Sequence, residues 1–591
     1  MGTKLLILSA SATLLFSVLL LPPRTPHVLL LSPMLRWPLR QSHEPDLLVW
    51  NGTIYTSDSS LPFAEAMTVR GGRILGVGNY SSLKDFVGSG TRELNLYGKV
   101  VLPGFIDSHV HFIYGGLQMS RVDLSETTSV DGFVAKVKDA VKDKREGDWL
   151  LGGGWNNDFW GGDLPVASWI DEVTRQNPVW LSRKDGHMGL ANSLALRIAG
   201  ITNRSEDPVG GTVVKNNGGD PTGLLIDAAM KFLLPFIPEV SLHERREAFR
   251  RASGYALKKG VTTVIDVGRF FPGASVDSIW EDLSDVYQWA DSSEEMLIRV
   301  CLFFPMQTWS RLANLVRERG RSISQWIHLG GVKAFADGSL GSNSALFYEP
   351  YVDEPHNYGL QVVDFGTLLN MTLPSDKSGL QVAIHAIGDK ANDGVLEMFN
   401  TVGNQNGMRD RRFRIEHAQH LAAGSAARFG QLRVIASVQP EHLLDDAASA
   451  EKKIGIDRSH KGSYLFQSLL SSGAQLAFGS DWPFGDINPL GGITAATKRI
   501  PPGWKHAWIP SERVSLENAL QAYTISAAYA SFLEGDLGSL SPGKLADFVV
   551  LSARSWEEFA EAVSSSSIVA TYVGGLQAFP QQPPPSEQAQ S

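Results

Sequence analysis

The chain is predicted to fold as an α/β protein: a TIM-type (β/α)8 barrel, with a small β-sandwich module built from both chain ends and a large insertion after the first barrel strand. Three observations lead there. Between residues 104 and 535, eight short apolar, β-rich runs end in polar residues and are followed by helical stretches, the pattern of repeated βα units. From the fourth run onward the spacing is regular: His385 to His417 is 32 positions and His417 to Asp481 is 64, room for one intervening strand. Strand-and-turn sequences of matching character stand near both ends, at 47–56 and 66–78 and again at 546–551 and 568–573.

Taken in order, residues 1–43 form a leader and linker. Residues 5–21 carry no charge, follow Lys4, and precede the first acidic residue, Glu44. As a helix this run reaches about 26 Å at about 1.5 Å per residue, the short edge of a membrane span. An uncleaved signal anchor is the expectation, with a signal peptide or an organelle transit peptide as rivals. It places the protein in the endoplasmic reticulum or secretory pathway, held by a single N-terminal membrane segment. The sequons at Asn51, Asn79, Asn203 and Asn370 would then be glycosylation candidates. Arg24, Arg36 and Arg40 outnumber Lys4 and argue for the opposite orientation.

Residues 44–103 supply the N-terminal half of the β module, with Asn51-Gly52 and Gly71-Gly72 as hairpin signals. The barrel follows over 104–535. Its strands are expected at 104–111, 261–266, 298–304, 331–335, 381–385, 412–417, 434–439 and 475–481. Only the first interval is abnormally long, so residues 112–255 read as an insertion over the C-terminal face of the barrel, a lid or substrate wall. Residues 536–580 complete the β module. The Pro, Gln and Ser tail at 581–591 reads as disordered.

Composition removes several functions. A formal net charge of −9 without a basic block repels a phosphate backbone, so no nucleic-acid partner is expected. Cys301 is the only cysteine, which excludes an intrachain disulfide and any cysteine-based zinc site, and its apolar surroundings read as packing. Metal chemistry must then use His, carboxylate or lysine.

Asp107-Ser-His109-Val-His111 ends the first predicted strand, where alternate side chains share a face and can offer two imidazoles to one cation. Paired surface or core histidines would give the same spelling. His385, His417 and Asp481 close three further strands, and four His and an Asp at strand ends of one face are hard to obtain by accident. Lys333 reads as an ion-pair partner of Asp337 or, once carbamylated by carbon dioxide, as an anionic ligand bridging two cations. His187, after Asp185-Gly186, is the leading substrate contact; Trp155, Trp160 and Trp482 are candidates for an apolar pocket, with packing as the alternative.

These residues resemble the amidohydrolase superfamily, in the amidohydrolase-3 or YtcJ-like branch that includes bacterial N-substituted formamide deformylases. The likeness runs from about 46 to 575. It includes Gly152-Gly-Gly-Trp155, Asp185-Gly-His187, Pro221-Thr-Gly-Leu-Leu225, Asp337-Gly-Ser-Leu-Gly-Ser342, His385-Ala-Ile-Gly-Asp389 and Glu416-His-Ala418. Within that branch the whole chain is most similar to a plant group linked to phytochrome A (far-red) signalling. The resemblance implies that His109 and His111, with Asp481, hold a buried cation, that His385 and His417 hold a second, and that carbamylated Lys333 bridges them. Zinc is expected first, although manganese, iron or nickel suit the ligands. Asp481 would also act as acid and base in hydrolysing a small amide-like C–N bond other than a peptide. The rival reading is a non-catalytic metal-binding signalling protein. A homo-oligomer is allowed by the sequence.

Overall fold

The computed structural model describes residues 44–581. The N-terminal apolar run and most of the C-terminal tail lie outside it. Among the described residues no helix is long and apolar enough to cross a membrane.

Five strands open the described chain: β1 (Leu47–Tyr55), β2 (Phe63–Arg70), β3 (Arg73–Gly78), β4 (Arg92–Asn95) and β5 (Val100–Pro103). The barrel then starts with β6 (Phe105–Val110) and is interrupted by β7 (Val122–Asp123), β8 (Leu150–Trp155), β9 (Val179–Arg183), β10 (Met188–Ala191), β11 (Gly211–Lys215) and β12 (Pro221–Asp227). It resumes with β13 (Val261–Asp266), β14 (Arg299–Pro305), β15 (Ile327–Phe335), β16 (Gln381–Ala386), β17 (Arg414–His417), β18 (Ile435–Val438) and β19 (Leu476–Phe478). The last strands are β20 (Phe548–Leu551), β21 (Ile568–Val573) and β22 (Leu576–Phe579).

Strands β6 and β13 to β19 pair in parallel and in chain order, so the eight runs anticipated from sequence form one eight-stranded barrel sheet. The last strand returns to the first at its C-terminal end: Asp481 N–H donates to His109 C=O (2.8 Å) and His111 N–H to Trp482 C=O (2.8 Å). Each strand is buried on both faces, as near-continuous Val, Ile and Phe content requires when helices surround a closed sheet. One large apolar cluster, including Phe249, Leu302 and Val382, joins strands to those helices.

Both chain ends share a second sheet, ordered β22-β21-β20-β5-β1-β2-β3 with β4 on β1. Gly71 and Gly72, at φ 55° and 77°, make the two-residue turn between β2 and β3. The other expected hairpin is a correction: Asn51-Gly52 lies within β1, at a register shift where the strand changes partner from β4 to β5. A side chain on Gly52 would strike the Lys99 carbonyl at 2.4 Å, so the glycine serves close approach, not chain reversal. Arg299 on the barrel closes a buried pair with Asp547 beside β20, at 2.7 and 3.0 Å.

The long first interval holds a third sheet, ordered β11-β12-β10-β9-β8-β7. Its core contains Phe133, Trp155, Leu181 and Leu190. The loop between β9 and β10 brings Asp185, Gly186 and His187 to the cavity at the end of the barrel.

Candidate metal centre

His109, His111, His187, Lys333, His385, His417 and Asp481 all line one cavity at the C-terminal ends of the barrel strands. The first two come from the end of β6. His109 Nδ1–H donates to Glu416 Oε2 (2.6 Å) and His111 Nδ1–H to the Gly268 carbonyl (2.6 Å). Those bonds leave each Nε2 as an acceptor, and both stand 3.5 Å from Asp481 Oδ1. His109, His111 and Asp481 thus offer three donor atoms within 4.8 Å of one another. His109 Nε2 and Asp481 Oδ1 are buried and have no hydrogen-bond partner among the described residues. Buried polar atoms are rarely left so, and a cation with nitrogen and oxygen ligands satisfies both. The residues present therefore fit a divalent metal.

Electrostatics agree. Burial, aided by the Lys333 charge, drives the His109 ring down to about 4, so it is neutral at physiological pH. Burial alone would raise Glu416, but Arg414 at 2.7 Å and His109 hold it well below the usual carboxylate range. Asp481 is likewise held low against burial by His111, His109 and His417. Asp107, buried and accepting from the Ser480 N–H (2.9 Å) and His109 N–H (3.2 Å), ties the first strand to the last; burial pushes its carboxyl up to about 7.

The other donors come from the opposite wall. His385 Nε2–H donates to the Gly338 carbonyl (3.0 Å), leaving Nδ1 as acceptor. His417 Nδ1 meets Gln439 Oε1 at 2.7 Å, leaving Nε2. The two rings lie 4.5 Å apart. Lys333, on β15, is 1% exposed and forms no hydrogen bond or ion pair among the described residues. Its ammonium lies 4.7 Å from the Phe335 ring, and burial lowers it to about 8. The ion pair with Asp337 does not form, because that carboxylate accepts the N–H groups of Leu346 (2.8 Å), Ile387 (3.0 Å) and Gly388 (2.8 Å).

His187 reaches the same cavity from the inserted sheet. Gly186, at φ 72°, turns the chain, and a side chain there would meet the Phe484 ring at 2.6 Å. His187 Nδ1–H donates to Asp227 Oδ1 (2.5 Å) at the end of β12. Burial opposes protonation, yet Asp227 raises the ring above its ordinary value. Trp155 is a correction. It is fully buried in the inserted sheet, with Nε1–H donating to the Leu181 carbonyl (2.9 Å), because the strand pattern turns it into that sheet's own core. Trp160 packs against the same core. The Trp482 ring, stacked on Tyr255 at 5.9 Å, lines an outer cavity whose walls include none of the seven residues of the centre. The four sequon asparagines, Asn51, Asn79, Asn203 and Asn370, are exposed. Cys301 is buried in apolar surroundings, its thiol pushed up to about 12.

Sequence reasoning missed His442, which offers a ring nitrogen within 4.8 Å of the donors of His417 and Asp481. It also gave no role to Glu416, Gln439 or Asp227. Only Glu416 left a signal, as the neighbour of His417.

The family model described as "Amidohydrolase family" matches residues 92–579. The chain is 62% identical over 578 residues to Protein LONG AFTER FAR-RED 3 of Arabidopsis thaliana, covering 97% of this chain and 98% of that one. It is 26% identical to the N-substituted formamide deformylase of Arthrobacter pascens, over 90% of this chain and 98% of the other. A metal-dependent hydrolase of Pyrococcus horikoshii superposes with a TM-score of 0.69 at 27% identity, covering 86% of this chain and 97% of that one. The chain belongs to the amidohydrolase family, in the branch that also holds the Bacillus subtilis protein YtcJ, and is a metal-dependent hydrolase.

Proposed function

We propose that this amidohydrolase cleaves a C–N bond other than a peptide bond, in an amide, formamide or cyclic amide, with two divalent cations, zinc first. One observation carries the reading: His109 Nε2 and Asp481 Oδ1, two buried acceptors without partners, face each other across 3.5 Å. His109, His111 and Asp481 would hold the more buried cation, and His385 and His417 the second. Lys333, with its amine deprotonated in part, would add to carbon dioxide, forming an N–C bond and releasing a proton, to give the bridging carbamate. When bound, such cations lower the pKa of water and polarise a carbonyl. Asp481 accepts the proton of the attacking water and passes it to the leaving nitrogen. His187, whose proton affinity Asp227 raises, would in its protonated form donate to the carbonyl oxygen as negative charge develops there. Glu416 fixes the tautomer of His109. Trp482 would flank the approach through the outer cavity.

In this reading residues 104–535 carry the chemistry, the segment inserted after the first strand supplies the substrate wall, and the two terminal segments form the supporting module. The test is metal analysis joined to a panel of N-formyl and N-acyl amines. Two cations per chain and hydrolysis of at least one panel member support the assignment. A second reading, a signalling protein that retains metal without turnover, is favoured by the name of the 62% identical relative. Two bound cations with every panel member intact would select it. For location we propose the secretory pathway with an N-terminal anchor; the exposure of all four sequon asparagines supports a luminal body, as glycosylation requires. A glycosidase-dependent mass shift of the native protein is expected, and an unchanged mass rejects a glycosylated luminal body.

A further inference from the structure

Outward from the centre, the inner cavity runs along the first turn of the helix His442–Ile454, where His442, Asp445 and Asp446 face it. Polar and charged residues outnumber apolar ones in its lining, with Leu340, Ile387 and Phe484 as the large apolar members. Apart from the ligand candidate Asp481, the charges lining this cavity pair off with one exception among the described residues. Arg183 meets Asp185 at 2.8 Å and Asp158 at 3.5 Å, and Lys184 meets Asp445. Asp446 has neutral donors only, Gln419 Nε2 and the Tyr464 hydroxyl (2.6 Å), both on Oδ2. Its Oδ1 has no donor among the described residues. One turn earlier, His442 has a buried Nε2 without a hydrogen-bond partner among the described residues, and one of its ring nitrogens lies within 4.8 Å of the donors of His417 and Asp481. A carboxylate without an ion pair and an imidazole nitrogen without a hydrogen-bond partner therefore stand one helical turn apart on the wall of this cavity.

A site of this kind penalises an apolar occupant, which would strip water from both groups and return nothing. A cationic nitrogen satisfies both and is attracted by a carboxylate that makes no direct ion pair among the described residues. We propose that the substrate carries, on its leaving-group side, a primary ammonium or similarly N–H-rich cation, received by Asp446 Oδ1 with His442 accepting a further N–H. This rests on the hydrolase reading above and adds the substrate class: N-acylated diamines and their analogues, in preference to N-acyl alkylamines or arylalkylamines.

The test uses matched pairs, N-formyl-diaminoalkane against the N-formyl-alkylamine of equal length, on the metal-loaded protein. The ammonium-bearing member is expected to show at least tenfold higher kcat/KM. In Asp446→Asn, which keeps the acceptor for Tyr464 and Gln419, that ratio should fall to about one, and His442→Gln should reduce it in part. Thermal midpoints establish that both variants fold. A neutral member hydrolysed equally well by the wild type, or a ratio untouched by Asp446→Asn, overturns the proposal. If neither member is hydrolysed, the hydrolase reading fails and the pocket is read by calorimetry with the free diamine and monoamine: at least tenfold tighter diamine binding, lost in Asp446→Asn, upholds it, and equal binding rejects it.

Discussion

The two halves of the centre are built from the same residue type but backed differently. On the inner side, Asp481 is a ligand candidate and His109 leans on the Glu416 carboxylate; on the outer side, His385 leans on a backbone carbonyl and His417 on an amide oxygen. A carboxylate behind an imidazole raises its basicity and fixes its ring, whereas neutral partners do only the second. The inner position thus has anions of its own, and the outer must obtain one from Lys333 once carbamylated. Cation loading should follow that order.

Substitutions can break or sharpen this contrast. Asp481→Asn removes an inner ligand and the proton carrier together, so kcat should fall by about 10³-fold or more, the largest effect expected. His187→Ala, outside both halves, should lower kcat by about 10² to 10³-fold while metal content stays at the wild-type value. Lys333→Ala should empty the outer position and leave the inner one filled, so metal analysis should read one cation per chain where the wild type holds two. The amine is lowered to about 8, so it is mostly ammonium below that pH and mostly nucleophilic above it. Reconstitution of the second cation with bicarbonate should therefore be faster at pH 8.5 than at 6.5, and equal rates would speak against carbamylation. Glu416→Gln should weaken the inner cation by about 10 to 100-fold, read by competition with a chelator. The smallest effect on chemistry belongs to Trp155→Ala, which should cost about 3 to 5 kcal/mol of stability and leave KM unchanged in the folded fraction.

The strand ends were the legible part. Four histidines and an aspartate closing apolar runs form a pattern that local sequence displays, and the eight predicted strands all pair in the barrel sheet. Residues that act from behind were hidden for geometric reasons. Glu416 and His417 are consecutive, and strict alternation would send them to opposite faces; His417 sits at φ 76°, which breaks the extended geometry and lets Glu416 reach His109 while the His417 ring enters the cavity. Asp227 supports His187 across 40 positions, through an antiparallel sheet whose register no local pattern reveals. Trp155 misleads for the converse reason: a tryptophan suits an apolar pocket as well as a core, and the inserted sheet has a core of its own to fill. Asn51-Gly52 spells a hairpin, and only the approach of Lys99 turns it into a bulge.

Anomalous diffraction from the metal-loaded protein tests the central claim most directly. Two peaks about 3.5 to 4 Å apart are expected, the inner beside His109, His111 and Asp481 and the outer beside His385 and His417, with carbamate density extending from Lys333 between them. An unmodified Lys333 ammonium with no peak beside His109 and Asp481 would contradict it.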